Sequence, residues 1–377
     1  MINPKVFFQC LLAHNVDFFT GVPDSLLKNV CAYITDNTSK ENHIIAANEG
    51  NALSLGIGHY LATKRIPLIY LQNSGLGNII NPLLSLADPD VYSIPMILMI
   101  GWRGEPGVKD EPQHRKQGRV TESLLKSMEI PYKVLTKGMN NIDTENAISD
   151  MYSTSVKKNI PCALLIRKGF FLDYSLKSEA VFDRPTSRED AIKIVINKLS
   201  DSDIVVSTTG VTSRELFEYR GESGKGHSKD FLTVGGMGHA SQIALGISLR
   251  KPDKQVVCMD GDGALLMHMG SLAINASMEC CNFKHVVFNN SAHDSVGGQP
   301  TVASNIDIPA IALASGYRWA KRAVDIDDIN QFMDEFLLTK GPALLEVQVK
   351  KGFRSNLGRP TLTPIENKEA FMKFLDQ

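Results

Sequence analysis

The sequence predicts an α/β protein made of two doubly wound parallel-sheet domains. Its 377 residues exceed the roughly 250 to 300 at which single cores usually stop growing. Short apolar, β-branched runs recur in both halves of the chain, and stretches of helical periodicity separate them. Runs this apolar are typical of strands covered on both faces, as in a parallel sheet flanked by helices. We therefore expect two similar halves rather than one large core.

Four runs in the first half predict strands, namely His43–Ala47, Pro67–Leu71, Pro95–Trp102 and Cys162–Lys168. Five runs in the second half do the same, namely Ile204–Ser207, Phe231–Val234, Val256–Asp260, His285–Asn289 and Ala343–Val349. A helix is predicted over Ala240–Ile247. Ligands of doubly wound sheets bind beyond the carboxyl ends of the strands, so the residues after each run are the first candidates for a site.

The apolar pattern fades between the two halves. Residues 173–189 are mostly polar and predict a linker between a first domain, 1–172, and a second domain, 190–377. Within this stretch Ser187, followed by Asp190, predicts the N-cap and acidic first turn of the next helix.

The composition is that of an ordinary globular protein. Hydrophobic residues make up 43% of the chain and charged residues 21%, and the formal net charge of −1 gives no basic excess for nucleic acid. Residues 1–20 mix polar with apolar side chains, unlike a signal peptide, and no apolar run approaches a membrane span. The six cysteines are scattered without a CxxC pair, so we expect a cytoplasmic protein.

The strongest signal for a functional site is a pair of polar motifs that follow two predicted strands. Asp262 lies between Gly261 and Gly263 after one strand, and Asn290 lies directly after the next. A carboxylate and an amide oxygen suit an octahedral Mg²⁺ whose shell is completed by phosphate oxygens and water. The glycines would let a phosphate approach the backbone. A lone Gly-Asp-Gly is often a surface turn, but the Asn-Asn in register favours the metal site.

These motifs resemble those of enzymes that use thiamine diphosphate, in which a Gly-Asp-Gly precedes an Asn-Asn at about this spacing. The resemblance implies that Asp262, Asn290 and the carbonyl of Ala292 bind the metal. Over the whole chain the sequence is similar to the compact phosphonopyruvate decarboxylases, with sulfopyruvate decarboxylases as the nearest cousins. The telling stretches are residues 21–27, 110–118, 212–216 and 293–301. Residues 1–172 would then be the pyrimidine-binding domain and residues 190–377 the diphosphate- and Mg²⁺-binding domain.

The resemblance also implies which residues bind the cofactor. Glu49 would engage the pyrimidine ring and activate the cofactor, although an acid at a helix start could also serve the helix dipole. Met237 would wedge between the two rings while the carbonyl of Gly235 receives the pyrimidine amino group. The same glycine-rich segment could be a plain strand-to-helix turn, and it lacks the third glycine of a dinucleotide fingerprint. The remaining candidates are Gly210, Thr212, Gly261, Gly263 and Ala264.

A substrate with a carboxylate and a phosphonate carries several negative charges, so its pocket should contain cations and neutral donors. The candidates for this pocket are Asp24, Ser25, Arg103, His114, Arg115 and Lys116. Each basic residue alone could equally be a solvated surface charge. His293, or Asp294 beside it, is the candidate proton donor. The alternative for His293 is a loop residue that holds the Asn290 segment in place.

The resemblance implies decarboxylation of 3-phosphonopyruvate to phosphonoacetaldehyde and CO₂ in phosphonate biosynthesis, with thiamine diphosphate and Mg²⁺ as cofactors. The alternatives are sulfopyruvate decarboxylation, a carboligating synthase and a non-catalytic cofactor-binding relative. Because the cofactor of this family bridges two subunits, we expect a homodimer or a larger homo-oligomer. We expect no nucleic-acid or membrane partner.

Overall fold

The computed structural model describes residues 1–177, 182 and 184–377. The chain forms two compact units, Met1–Glu179 and Ala180–Gln377, each built on one six-stranded sheet whose strand pairs are parallel. The prediction of two parallel α/β halves is therefore confirmed. Part of the predicted linker, residues 178–181 and 183, lies outside the described residues. Within the described parts of the chain, no helix has the length and apolar character needed to cross a membrane.

The sheet of the first unit has the strand order β2-β1-β3-β4-β6-β5. Its strands are β1 (Phe19–Gly21), β2 (His43–Ile45), β3 (Leu68–Gln72), β4 (Met96–Gly101), β5 (Tyr132–Leu135) and β6 (Pro161–Ile166). Its helices are α1 (Pro4–Ala13), α2 (Lys28–Asn37), α3 (Glu49–Thr63), α4 (Leu76–Pro82), α5 (Pro112–Ser127) and α6 (Asn141–Lys158). Along β3, Leu68 and Tyr70 pack into one core cluster while Ile69 and Leu71 pack into another, so the strand is buried on both faces.

The sheet of the second unit has the order β11-β12-β10-β9-β7-β8. Its strands are β7 (Ile204–Ser207), β8 (Asp230–Leu232), β9 (Val256–Gly261), β10 (Phe283–Asn289), β11 (Trp319–Ala323) and β12 (Ala343–Gln348). Its helices are α7 (Arg188–Lys198), α8 (Val211–Glu222), α9 (Ala240–Ser248), α10 (Asp262–Met267), α11 (Ser271–Ser277), α12 (Ile308–Ala314), α13 (Ile326–Leu338) and α14 (Pro364–Leu375). Strand β9 also alternates between two cores, with Val257 and Met259 on one face and Val256 and Cys258 on the other.

The nine predicted strands are present, but three strands, β1, β5 and β11, had no predicted counterpart. Strand β1 is buried inside the first sheet but has only three residues. Strands β5 and β11 each lie at the end of a sheet and are only partly buried. Lys133 interrupts the first, and Lys321 and Arg322 interrupt the second. Such charges are typical of edge strands and hide the apolar run that identifies a central strand. The predicted cap of α7 is confirmed, because the Ser187 side chain accepts a hydrogen bond from the Asp190 amide.

Candidate functional site

The two predicted metal-binding motifs lie at the same edge of the second sheet. Strands β9 and β10 are parallel neighbours, and Phe288 near the end of β10 is in register with Gly261 at the end of β9. Asp262 and Asn290 directly follow these strands. The sheet register thus brings a carboxylate and an amide together although 27 residues separate them in sequence.

Asp262 is a buried carboxylate at the first residue of α10. Its Oδ2 accepts a hydrogen bond from the Thr301 hydroxyl. Burial raises the pKa of Asp262 to about 6, and the Thr301 hydrogen bond only partly offsets this rise. In the described part of the chain, no salt bridge joins Asp262 to a basic side chain. Arg184 acts on this carboxylate only from beyond salt-bridge distance. A buried carboxylate without a salt bridge is costly, so this position fits a bound cation.

The loop after β10 is organised by two asparagines. The Asn290 Oδ1 accepts a hydrogen bond from the Ala292 amide at 3.0 Å, and its Nδ2 donates to Asp294 at 2.6 Å. Because a carbonyl oxygen has two lone pairs, Oδ1 can still bind a metal. Asn289 braces the loop instead, since its Nδ2 donates to Glu346 at 2.7 Å and its Oδ1 accepts from the Ser291 amide at 3.0 Å. The amide oxygen, the buried carboxylate and a nearby carbonyl form an all-oxygen donor set suited to Mg²⁺.

His293 lies beside Gly263, one of the candidate cofactor residues, and the side chain of Met237 lies beside the same glycine. A Cβ atom built on Gly263 would lie 2.9 Å from His293 Cε1 and 3.2 Å from Met237 Cε. Burial lowers the pKa of His293 to about 4, so its imidazole is neutral at pH 7. Asp294 is engaged within the loop, where its Oδ2 accepts hydrogen bonds from Asn290 and from the Gly352 amide. Of the two candidate proton donors, His293 is the one that lies beside the proposed cofactor residues.

The loops after β7 and β8 lie together at this edge of the sheet. The Gly235 amide donates to Thr209 Oγ1 at 2.9 Å and so joins the two loops. Gly210 precedes α8 with a φ of 99°, a backbone conformation that favours glycine. Thr212 is buried in the first turn of that helix. The candidate cofactor residues of the second unit are therefore carried by adjacent loops at the carboxyl edge of one sheet.

In the first unit, Glu49 is buried at the first residue of α3. The Asn48 side chain caps this helix by accepting a hydrogen bond from the Asn51 amide at 2.9 Å. Glu49 Oε2 accepts from Asn78 Nδ2 at 2.7 Å. Its Oε1 lies against Gly75, where a Cβ atom would collide with the carboxylate. The position of this carboxylate therefore depends on a glycine at residue 75.

The candidate substrate residues of the first unit fall into two groups. Asp24 is fully buried, and burial raises its pKa although a hydrogen bond from Gln72 at 2.6 Å opposes the rise. Arg103 donates to Ser25 Oγ at 2.7 Å and to Asp110 Oδ2 at 2.8 Å. Burial acts to raise the pKa of Asp110, but hydrogen bonds from Arg103 and two backbone amides hold it well below its usual value. The charge of Arg103 is therefore compensated within the protein by Asp110.

The other group lies in the first turns of α5. There His114 is partly buried, whereas Arg115 and Lys116 are exposed. The structure brings Ser25 and Arg103 into contact, but it leaves Arg115 and Lys116 on the surface of the helix.

The sequence did not reveal several residues that the structure places around the loop after β10. Thr301 binds Asp262, and Arg184 donates to the carbonyl of Asn289 at 2.8 Å. Gln299 is fully buried, and neither polar atom of its side chain has a hydrogen-bond partner among the described residues. An unsatisfied buried amide is unusual and is a candidate ligand-facing group. Thr301 and Gln299 belong to the motif 293–301, but its spacing does not reveal what their side chains contact.

Comparisons with known proteins match both halves of the chain. The family model "Thiamine pyrophosphate enzyme, N-terminal TPP binding domain" matches residues 4–125, and the corresponding C-terminal TPP binding domain matches residues 209–347. The phosphonopyruvate decarboxylase of Streptomyces viridochromogenes is 33% identical over 100% of this chain and 95% of its own length. That of Streptomyces hygroscopicus is 33% identical over 99% of this chain and 94% of its own. The sulfopyruvate decarboxylase of Methanosarcina acetivorans is 26% identical over 100% of this chain and 98% of its own.

Replacing Gly75 by alanine tests the placement of Glu49. The new methyl group would collide with the carboxylate and displace it, so we expect thiamine-diphosphate-dependent turnover to fall about 100-fold. The matched control is Gly77→Ala, because a Cβ at that helical position meets nothing within 4 Å. Turnover of both variants is measured at saturating cofactor, and equal rates would show that the Glu49 position is not critical.

Replacing Gln299 by methionine tests whether its amide faces a ligand. Removing an unsatisfied buried amide should raise the free energy of unfolding of the cofactor-free protein by about 1–3 kcal/mol, measured in urea. Turnover of the same variant should fall. Gln242→Met is the control, since its Nε2 already donates to Asn275 at 2.7 Å and its loss should destabilise the protein. A destabilised Gln299→Met would argue that the amide has a partner within the protein.

Proposed function

Because the chain belongs to the phosphonopyruvate decarboxylase family of thiamine-pyrophosphate enzymes, we propose that it converts 3-phosphonopyruvate to phosphonoacetaldehyde and CO₂ in phosphonate biosynthesis. The family resemblance inferred from the motifs is confirmed, and the chain is a thiamine-diphosphate-dependent decarboxylase. The observation that carries the substrate proposal is the 33% identity to phosphonopyruvate decarboxylases over essentially the full length of both chains.

The proposed metal is Mg²⁺, held by Asp262, Asn290 and the carbonyl of Ala292, with the cofactor diphosphate completing its shell. The buried carboxylate of Asp262, which forms no salt bridge among the described residues, supports this assignment. The register of β9 and β10 supports it as well, because it brings both side chains to one edge. Main-chain groups near the diphosphate would come from Gly210, Thr212, Gly261, Gly263 and Ala264.

Thiamine diphosphate, when bound, supplies the group that accommodates the electron pair left by CO₂ loss. In the proposed site Glu49 of the first unit would bind the pyrimidine ring nitrogen. From the second unit, the Gly235 carbonyl would accept a hydrogen bond from the pyrimidine amino group, and Met237 would support the cofactor between its rings. His293 is neutral and partly buried, so it can hold a proton on one ring nitrogen and accept one on the other. We assign it, rather than Asp294, to the proton transfer that completes the reaction.

The proposed substrate-binding residues are Asp24, Ser25, Arg103, His114, Arg115 and Lys116. Asp110 fixes the guanidinium of Arg103 beside Ser25, which favours a defined pair of donors over a mobile cation. Arg115 and Lys116 add positive charge on the exposed face of α5. Sulfopyruvate is the second candidate substrate, since the matching relative is 26% identical over the full chain.

We also propose that the protein is a cytoplasmic homodimer or larger homo-oligomer. All six cysteines are free thiols, as expected in a reducing compartment. The oligomer follows from the family's use of two subunits to bind one cofactor. Analytical ultracentrifugation of the holoprotein tests this assembly directly.

The substrate proposal predicts CO₂ release from phosphonopyruvate that requires both thiamine diphosphate and Mg²⁺. A sulfonate has the same tetrahedral shape as a phosphonate but one charge fewer when both are fully ionised. We therefore expect kcat/KM for phosphonopyruvate to exceed that for sulfopyruvate, measured in parallel with purified protein. A preference for sulfopyruvate would move the assignment to the second candidate. Cofactor binding without CO₂ release from either acid would favour a non-catalytic relative.

Substitutions at Glu49 and at Asp262 should have different effects on turnover and on cofactor affinity. Glu49→Gln should lose most turnover and keep its affinity for thiamine diphosphate, because the metal site is intact. Asp262→Asn should weaken Mg²⁺ and cofactor binding together. Calorimetric titration of each variant with cofactor, at fixed Mg²⁺, separates the two outcomes. Unchanged turnover in Glu49→Gln would contradict the proposed activation, and unchanged cofactor affinity in Asp262→Asn would contradict the ligand assignment.

A further inference from the structure

The segment that leads into α7 carries two buried arginines that the proposed reaction does not use. We call residues 184–190 the leading segment. Arg184 and Arg188 are each 6% exposed. The segment is joined to the residues that follow β12, because the Lys350 amide donates to the Thr186 carbonyl at 2.8 Å. Both guanidinium groups reach the loop that follows β10.

Arg184 donates to acceptors on both sides of Asn290. Its NH1 donates to the Asn289 carbonyl at 2.8 Å, and its NH2 donates to Ser291 Oγ at 2.9 Å. Burial lowers the pKa of Arg184. Across the described residues its guanidinium forms no salt bridge with a carboxylate, so its hydrogen bonds go to the loop and to the Val349 carbonyl. A buried cation of this kind fixes the backbone that it binds.

Ser291 is the residue whose conformation requires such support. Its φ of 56° lies in the left-handed region, which disfavours residues other than glycine. This turn of the backbone lets the Ala292 amide reach Asn290 Oδ1 at 3.0 Å. Asn289 Oδ1 accepts from both the amide and the hydroxyl of Ser291, and Arg184 holds the same hydroxyl from the other side.

Arg188 secures the far end of the loop. Its Nε donates to Glu215 at 2.8 Å, and its NH1 lies 3.4 Å from Asp294 Oδ2. The same oxygen of Asp294 accepts a hydrogen bond from Asn290 Nδ2 at 2.6 Å. Asn290 is thus held through its backbone neighbours by Arg184 and through its side chain by Arg188 and Asp294.

We propose that Arg184 and Arg188 are positioning residues, which hold the loop Asn290–Ala292 in the conformation that binds the divalent metal. This inference rests on the proposed function, because it takes Asn290 and the Ala292 carbonyl as metal ligands. The leading segment therefore acts on the metal affinity of the second unit without itself touching the metal.

The test measures Mn²⁺ binding to the full-length protein, by electron paramagnetic resonance, with thiamine diphosphate present. Arg184→Gln should raise the Mn²⁺ dissociation constant about 10- to 100-fold, the usual effect of losing a group that orients a metal ligand. Saturating Mg²⁺ should restore most of kcat. Arg184→Lys should bind Mn²⁺ more weakly as well, because an ammonium cannot match the two-pronged geometry of the guanidinium.

Two further variants distinguish a positioning role of Arg184 from a purely structural one. The first is a matched control, and the second combines Arg184→Gln with Ser291→Gly. Arg220 is equally buried and donates to Asp230 on β8 at 2.9 Å, so Arg220→Lys should lower the melting temperature without changing the Mn²⁺ dissociation constant. Ser291→Gly removes the backbone strain, so Arg184→Gln should cost less metal affinity in that background than in the wild type. If the two substitutions instead changed the Mn²⁺ dissociation constant independently, with multiplicative effects, the proposed action of Arg184 through Ser291 would be overturned.

Arg188→Lys gives a second test through Asp294 if Arg184→Gln does not fold. An unchanged Mn²⁺ dissociation constant in the folded arginine variants, together with weakened binding in Asp262→Asn, would overturn this inference alone. Unchanged binding in Asp262→Asn as well would overturn the metal site of the proposed function.

Discussion

The candidate site depends on one buried carboxylate that forms no salt bridge within the described residues. Asp262 lies at the end of a central strand, where desolvation disfavours its ionised form and raises its pKa to about 6. The described residues offer it one hydroxyl hydrogen bond, from Thr301, and no basic partner within salt-bridge distance. A divalent cation is the natural complement of such a group. The neighbouring strand can supply the second proposed ligand only because β9 and β10 are parallel and in register, so the fold itself would determine the proposed metal site.

In the first unit, by contrast, the main candidate charge forms a salt bridge within the protein. Arg103 would be the obvious cation for a multiply charged substrate, yet Asp110 already engages it through two of its nitrogens. The negative charge of Asp110 limits the long-range attraction of Arg103 for an anion. The same contact fixes the plane of the guanidinium and directs its third nitrogen at Ser25. Recognition in the proposed pocket then depends on oriented hydrogen bonds, while exposed residues such as Lys116 contribute mainly to attraction at longer range.

The sequence was sufficient to place candidate residues that directly follow a strand. Asp262 and Asn290 could be found because each directly follows an apolar run, and their proximity followed from the parallel sheet. Thr301, Gln299 and Arg184 could not be identified, since their roles depend on how a long loop and the leading segment fold back onto the site. The hydrophobic periodicity of the sequence does not predict how these segments fold back. The edge strands β5 and β11 were missed for a different reason, because the charges that protect an edge also hide the strand.

Locally unfavourable features are concentrated at the carboxyl edge of the second sheet. Ser291 adopts a left-handed conformation that costs about 1–2 kcal/mol, Gln299 buries an amide without a partner among the described residues, and Asp262 buries a carboxylate. Their proximity is expected where a ligand, rather than the chain, satisfies the polar groups. A ligand that binds only the folded state stabilises it by mass action, so cofactor and metal would offset the cost of their own site. The apolar cores on both faces of β9 allow the chain to fold before that ligand binds.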